Sequence, residues 1–198
     1  GSVYVFLGPH DFTASIVDAD LVVDGETAED RLGYTILSPG DLTGDGSDDL
    51  LVATDRGPLG GDGSTGAVLM FDGDALALGY GLESDARTVI HGDQLGSWFG
   101  AAMAAVPDLD GDGVPELVVG APNADGPDSG DGDNHGAVYG LMSPWPAGSR
   151  ALGLDDRVLH GSLPNAGLGL SVAAGDILLD GSVDIAVAEP SLSITYVL

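Results

Sequence analysis

One stretch of sequence, written twice in register and a third time in weaker form, limits what this chain can fold into more than any other feature. Leu32-Gly33-Tyr34 through Asp41-Leu-Thr-Gly-Asp-Gly-Ser-Asp-Asp49-Leu-Leu-Val-Ala53 recurs as Phe99-Gly100-Ala101 through Asp108-Leu-Asp-Gly-Asp-Gly-Val-Pro-Glu116-Leu-Val-Val-Gly120. Positions 41, 45 and 49 map onto 108, 112 and 116 with a constant offset of 67. A third copy runs from Leu168-Gly169 through Asp176, Asp180 and Asp184 to Ala188, its acidic positions 68 beyond the second. A period of this size points to a repeat architecture, in which each unit is one supersecondary motif.

Within each unit the elements keep their order. A Gly-x-Val strand follows the acidic loop at Gly66–Phe71, Gly136–Tyr139 and Ser193–Leu198, and Gly1–Phe6 is the same element from an earlier unit. An outer strand ending before or at glycine comes next, at Ile16–Gly25, Thr88–Gly92 and Val158–Gly161. Continuous apolar runs such as Leu50–Ala53 and Leu117–Val119 fit strands buried on both faces. Gly100-Ala-Ala-Met-Ala-Ala-Val106 has the small side chains an innermost strand needs where sheets converge. The reading is all-β: β-propeller blades of four antiparallel strands, forming an incomplete ring in this chain. A solenoid is disfavoured because such coils have shorter periods. The units expected are 1–25 (the end of a preceding blade), 30–92, 97–161, and a partial blade at 167–198.

Composition agrees with many short strands and tight turns: 33 Gly, 11 Pro, no Cys, and an apolar fraction of 43% dominated by Ala, Val and Leu. Five arginines and no lysine face 32 acidic residues, for a net charge of −27. That surface repels nucleic acid and anionic membrane. No run of about 18 apolar residues exists, so membrane insertion is not expected. The opening segment reads as a strand, not as a signal peptide. Thiol nucleophiles and Schiff-base lysines are excluded by composition.

The carboxylates cluster once per repeat. Asp41, Thr43, Asp45, the Ser47 carbonyl and Asp49 in the first loop, and Asp108, Asp110, Asp112, the Val114 carbonyl and Glu116 in the second, are the candidate metal ligands. Side chains at alternate positions of a tight loop can converge, and Gly46 and Gly113 permit the turn that returns position 9 to the group. Five or six oxygens plus water suit Ca²⁺ better than Mg²⁺. An EF-hand would need Glu at position 12, where Val52 and Val119 stand. The plain alternative, Asp and Gly serving only as turn residues, explains one loop better than two in register. In the third loop Leu178 replaces the acid at position 3, and metal binding there is left open.

These residues resemble the FG-GAP repeat of the integrin α-chain β-propeller and its bacterial relatives. Phe99-Gly100 matches the first mark, Gly120-Ala121-Pro122 the second, and Asp108–Glu116 the loop between; Leu32-Gly33, Ala53-Thr54 and Ala188-Glu189-Pro190 depart from it. The resemblance implies Ca²⁺ in loops joining the first two strands of a blade, an extracellular or cell-surface location, and adhesion, ligand binding or assembly; with no H-E-x-x-H, G-x-S-x-G or Gly-Lys phosphate loop in the sequence, enzymatic activity is not expected. Partners would be a protein or carbohydrate ligand, with self-assembly or the remaining blades of a longer chain closing the ring. The competing class is the propeller portion of a secreted carbohydrate- or lipid-active enzyme. His91 and His160, at equivalent repeat positions, read as structural; His10 and His135 lack metal-ligand spacing. The acidic insertion 123–135 reads as a solvated loop, or else as a second cation site or ligand contact. Trp98 reads as core, and Trp145, between two prolines, as exposed and a contact residue.

Overall fold

The computed structural model describes residues 1–9, 15–27, 30–55, 65–77, 80–127, 132–153, 156–192 and 194–197. In chain order its strands are β1 (Ser2–Val5), β2 (Leu21–Asp24), β3 (Thr35–Gly40), β4 (Asp49–Thr54), β5 (Ala67–Phe71), β6 (Tyr80–Leu82), β7 (Thr88–His91), β8 (Ala102–Val106), β9 (Glu116–Ala121), β10 (Ala137–Leu141), β11 (Gly148–Arg150), β12 (Arg157–His160), β13 (Val172–Gly175), β14 (Asp184–Glu189) and β15 (Ile194–Val197). The fold is all-β and built of propeller blades. Two sheets, β3-β4-β5-β7 and β8-β9-β10-β12, are antiparallel four-stranded meanders; β1-β2 and β13-β14-β15 are parts of the same pattern.

The repeat marks have a steric meaning. Glycine opens the third strand at Gly1, Gly66 and Gly136 because the next blade's first mark packs against it. A Cβ on Gly66 would sit 2.2 Å from the carbonyl oxygen of Phe99, and one on Gly136 would sit 2.2 Å from the nitrogen of Leu168. Both glycines also hold positive φ, 79° and 82°, which side chains disfavour.

Strand β4 shows why its sequence is apolar throughout. Leu51 and Ala53 face a core shared with Phe99, Leu117, Val119 and Tyr139 of the next blade, while Val52 faces Val3, Leu21 and Val23 of the preceding one. A third core joins Val118 and Val138 to Leu168 and Val187. Each core thus lies between neighbouring sheets. Phe99 and Tyr139 meet edge-to-face with ring centroids 5.3 Å apart, a favoured aromatic geometry. The small residues of β8 allow β3 and β13 to lie on either side of it, and the Thr35 hydroxyl donates to the Ala101 carbonyl across that boundary at 3.0 Å.

Two features depart from the repeat reading. First, Ile16–Asp18 is a short 3₁₀ turn, and the outer strand begins only at Leu21. Second, the connection after each third strand crosses to the preceding blade. There β6 pairs parallel with β2, and β11 pairs parallel with β7, giving those sheets an added outer strand.

The crossing also corrects the expectation for the tryptophans. Running back along β7, the segment before β11 lays Trp145 over the main core, where it is only 4% exposed. Its indole N–H donates to the Pro115 carbonyl at 3.4 Å, and the Arg150 guanidinium lies 5.3 Å from the ring centroid. Trp98, expected in the core, is instead 38% exposed. Its positive φ of 59° turns it away from the sheet.

Candidate metal centres

Both complete acidic loops join the first two strands of a blade, β3 to β4 and β8 to β9. In each, the ninth-position carboxylate opens the second strand and is buried. Strand geometry fixes it there. Alternation turns Asp49 and Glu116 inward, and a backbone N–H from the start of the loop meets each one. Asp49 Oδ2 accepts from Leu42 N at 2.8 Å and Thr43 N at 3.1 Å, and Glu116 Oε2 accepts from Leu109 N. In the third loop Asp184 accepts likewise from Leu178 N at 2.8 Å.

The second loop brings all four of its acidic candidates together. Asp108, Asp110, Asp112 and Glu116 each offer a carboxylate oxygen within 4.8 Å of the others. The three aspartates are exposed, whereas Glu116 is 0% exposed. Its Oε1 is buried without a hydrogen-bond partner. A buried, unpaired anionic oxygen costs free energy. Burial pushes the Glu116 carboxyl above its ordinary range, and the neighbouring Asp110, Asp112 and Asp108 charges add to the rise. Asp112 moves the other way, held low by the Ser143 hydroxyl and Val114 N–H.

The first loop gathers a different set. Asp45 and Asp49 meet Asp72, again within 4.8 Å; Asp41 lies outside that group, with the Thr43 hydroxyl 3.5 Å from its Oδ1. Asp41 instead accepts from the N–H groups of Gly44, Asp45 and Gly46 at 2.6, 3.2 and 2.8 Å, which hold its carboxyl below the ordinary range. The Ser47 hydroxyl donates to Asp74 at 2.6 Å. Asp49 is raised by burial, with Asp45 contributing. Asp72 was missed by reading along the loop because it follows β5. The signal lay in strand pairing: Leu50 is opposite Phe71, so the residue after Phe71 lies beside Asp49. Asp72 also caps the turn that follows, accepting from Asp74 N at 3.1 Å, and pairs with Arg87 at 3.3 Å.

Among the described residues the third loop assembles no such group. Asp176 accepts from Asp180 N and Gly181 N, and Asp180 accepts from Ser182 N. In the acidic insertion, Asp125 accepts from Gly132 N and Asn134 N, bracing the loop base; Asp128 and Asp131 lie outside the described residues, as does His10. His91 and His160 occupy the same register, opposite Ala67 and Ala137.

The donor set fits a hard divalent cation. It is all oxygen, mostly anionic, and includes one desolvated carboxylate oxygen with nothing else to satisfy it. No helix among the described residues is long and apolar enough to cross a membrane.

Comparison with known proteins agrees with the architecture. Residues 99–141 match the family model of the FG-GAP repeat. Integrin alpha-5 of Xenopus laevis is 36% identical over 126 residues, covering 61% of this chain and 11% of that protein. Integrin alpha-IIb of Homo sapiens is 37% identical over 125 residues, with the same coverages of 61% and 11%. A phosphatidylinositol-glycan-specific phospholipase D of Rattus norvegicus is 30% identical over 170 residues, 81% of this chain and 18% of that protein. The chain therefore spans about a tenth of the length of the integrin relatives it matches. Repeat, blade architecture and similarity together place this chain with the FG-GAP repeat β-propellers of the integrin α-chain type.

Proposed function

We propose that the chain, with blade units at 1–25, 30–92, 97–161 and 167–198, is a Ca²⁺-stabilised propeller module acting outside the cell in adhesion, ligand binding or assembly. The observation that carries the metal reading is Glu116: a fully buried carboxylate whose Oε1 has no partner, set among three exposed aspartates. Asp108, Asp110, Asp112, Glu116 and the Val114 carbonyl would hold one ion. Asp45, Asp49 and Asp72 would hold another, with Asp41, Thr43 and the Ser47 carbonyl as further candidates. Bound Ca²⁺ would supply positive charge that offsets carboxylate repulsion and pins each loop, stabilising the fold by mass action. Similarity to integrin α chains supports the adhesive and extracellular reading.

The test is titration calorimetry with Ca²⁺ and Mg²⁺, joined to melting curves in Ca²⁺ and in EDTA. Calcium binding with a lower melting temperature in EDTA is expected. No heat of binding and coincident melts would overturn the reading. A second reading, the propeller portion of a lipid-active enzyme, is favoured by the similarity to the rat phospholipase D; identification of a catalytic domain on the same polypeptide would decide for it.

A further inference from the structure

Between the second and third blade sheets, at the ends of β9 and β14 opposite the metal-candidate loops and against the base of the 123–135 insertion, lies an open cleft of about 260 Å³ whose lining includes Trp98, Pro122, Asn123, Asn134, Asn165 and Leu170. In a chain of net charge −27, none of the nine residues lining it is ionisable. The contrast with the preceding blade is specific. The repeat places Arg31 where Trp98 stands and Asp55 where Pro122 stands, and those two charged groups pair at 2.8 Å. One blade fills this corner with an ion pair; the next replaces both charges with an aromatic ring and a proline.

The backbone does not ask for that ring. Positions 31, 98 and 167 are the same turn in three blades, with φ of 55°, 59° and 69°. In each, the carbonyl accepts from the N–H three residues on: Tyr34, Ala101 and Leu170. Glycine is the residue this conformation favours, and the third blade has Gly167; a bulky side chain there is disfavoured. Trp98 adopts it all the same and is 38% exposed as a residue, contributing to none of the three cores. Leu170, half exposed, adds an apolar edge.

The polar side chains of the lining are three amides and Ser191, whose hydroxyl donates to the Asn165 carbonyl. Asn134 Nδ2 donates to the Gly132 carbonyl at 3.0 Å, and the side chains of Asn123 and Asn165 hydrogen-bond to none of the described residues. An amide offers two donors and two acceptor lone pairs, which suits a ligand dense in hydroxyl groups. A cleft with an aromatic face and a few oriented polar groups is the usual form of a small-ligand site. Its size falls just below the roughly 300–1,000 Å³ of drug-sized pockets, appropriate to a single sugar ring and its substituents. The nine lining residues themselves offer a basic peptide no carboxylate to pair with.

We infer that this cleft binds a neutral carbohydrate, the ring stacking on Trp98 and its hydroxyls meeting the Asn123, Asn134 and Asn165 amides. The inference rests on the reading of the chain as a ligand-binding module and names the ligand class. The test is an array of neutral and charged glycans probed with the calcium-loaded protein, followed by calorimetry with the monosaccharide common to the hits. Neutral glycans are expected to bind, with Trp98→Ala and Asn165→Gly each weakening affinity by at least about tenfold. Asn165→Gly keeps its turn, since the equivalent position is Gly96 with φ of 76°; both variants should melt in Ca²⁺ like the parent. A blank array, hits confined to charged glycans, affinity unmoved by both variants, or a selected peptide whose binding Trp98→Ala abolishes would each overturn the inference. A blank array beside a calcium-dependent melt refutes the cleft alone, whereas sugar binding beside an EDTA-indifferent melt refutes the metal reading alone.

Discussion

Glu116→Gln should make the protein more stable without calcium and less stable with it. The substitution keeps size and shape, and leaves an oxygen to accept from Leu109 N. It removes a negative charge that burial and three neighbouring carboxylates disfavour. The new amide N–H₂ can donate to those aspartates, whose oxygens lie within 4.8 Å. A hydrogen bond to a charged group contributes about 1.5–3 kcal/mol; allowing for amide desolvation, a gain of about 1–2 kcal/mol is reasonable. For a chain of 198 residues that raises the melting temperature in EDTA by roughly 2–8 °C. In calcium the sign reverses. An ion at 100 times its Kd stabilises by about 2.7 kcal/mol, or roughly 5–11 °C at this chain length, and the variant forfeits most of the second loop's share. Differential scanning calorimetry of both proteins, in EDTA and in saturating Ca²⁺, reads all four numbers. If the variant melts at or below the parent in EDTA and keeps the full calcium increment, the buried charge is not what the ion answers.

Calcium affinity should fall as the solution is acidified. The Glu116 and Asp49 carboxyls titrate above their ordinary range in the metal-free fold, so protons compete for the ligands before ordinary aspartates protonate. Those two groups make the metal-free protein more stable as pH drops through their raised values, while Asp41 and Asp112, held low, lose their contribution as pH falls through theirs. Calorimetric Kd values at neutral pH and at about pH 5 should show the weakening, and equal values would contradict it. Asp72→Asn keeps the cap on the following turn but removes an anion from the first group; about tenfold weaker calcium binding at one of two sites is expected, and an unchanged isotherm would remove Asp72 from the ligand set. Trp145→Ala should cost about 3–5 kcal/mol in urea unfolding and Trp98→Ala under about 1 kcal/mol; the reverse ranking would invalidate the placement of both rings.

The blade pattern was legible because it repeats. Glycines opening third strands and apolar second strands recur where packing between adjacent sheets imposes them, and Gly66, Gly136 and Val52 each sit where the sequence implied. What escaped was non-repetitive or non-local. Strands β6 and β11 are three residues each, with no alternation to announce them, and exist because an outer edge was available to pair with. Trp145 read as exposed because flanking prolines resemble a loop, but that loop crosses a core. Trp98 read as core from its neighbour Phe99, although one residue of left-handed backbone separates their directions. Asp72 lies 23 residues beyond Asp49 in sequence and is close to it only through the β4–β5 register.

Those two short crossing strands have a mechanical consequence. Units that touch only through side chains can peel apart one at a time, as in many tandem arrays. Here the boundary is stitched by main-chain hydrogen bonds, and loosening one unit strips the rim of the unit before it, baring unsatisfied amides there. Tension along the polypeptide would therefore load neighbours jointly, and forced extension should give rips longer than a single 67-residue period. For a scaffold read as serving adhesion, that coupling would let load at one sheet be shared by the next.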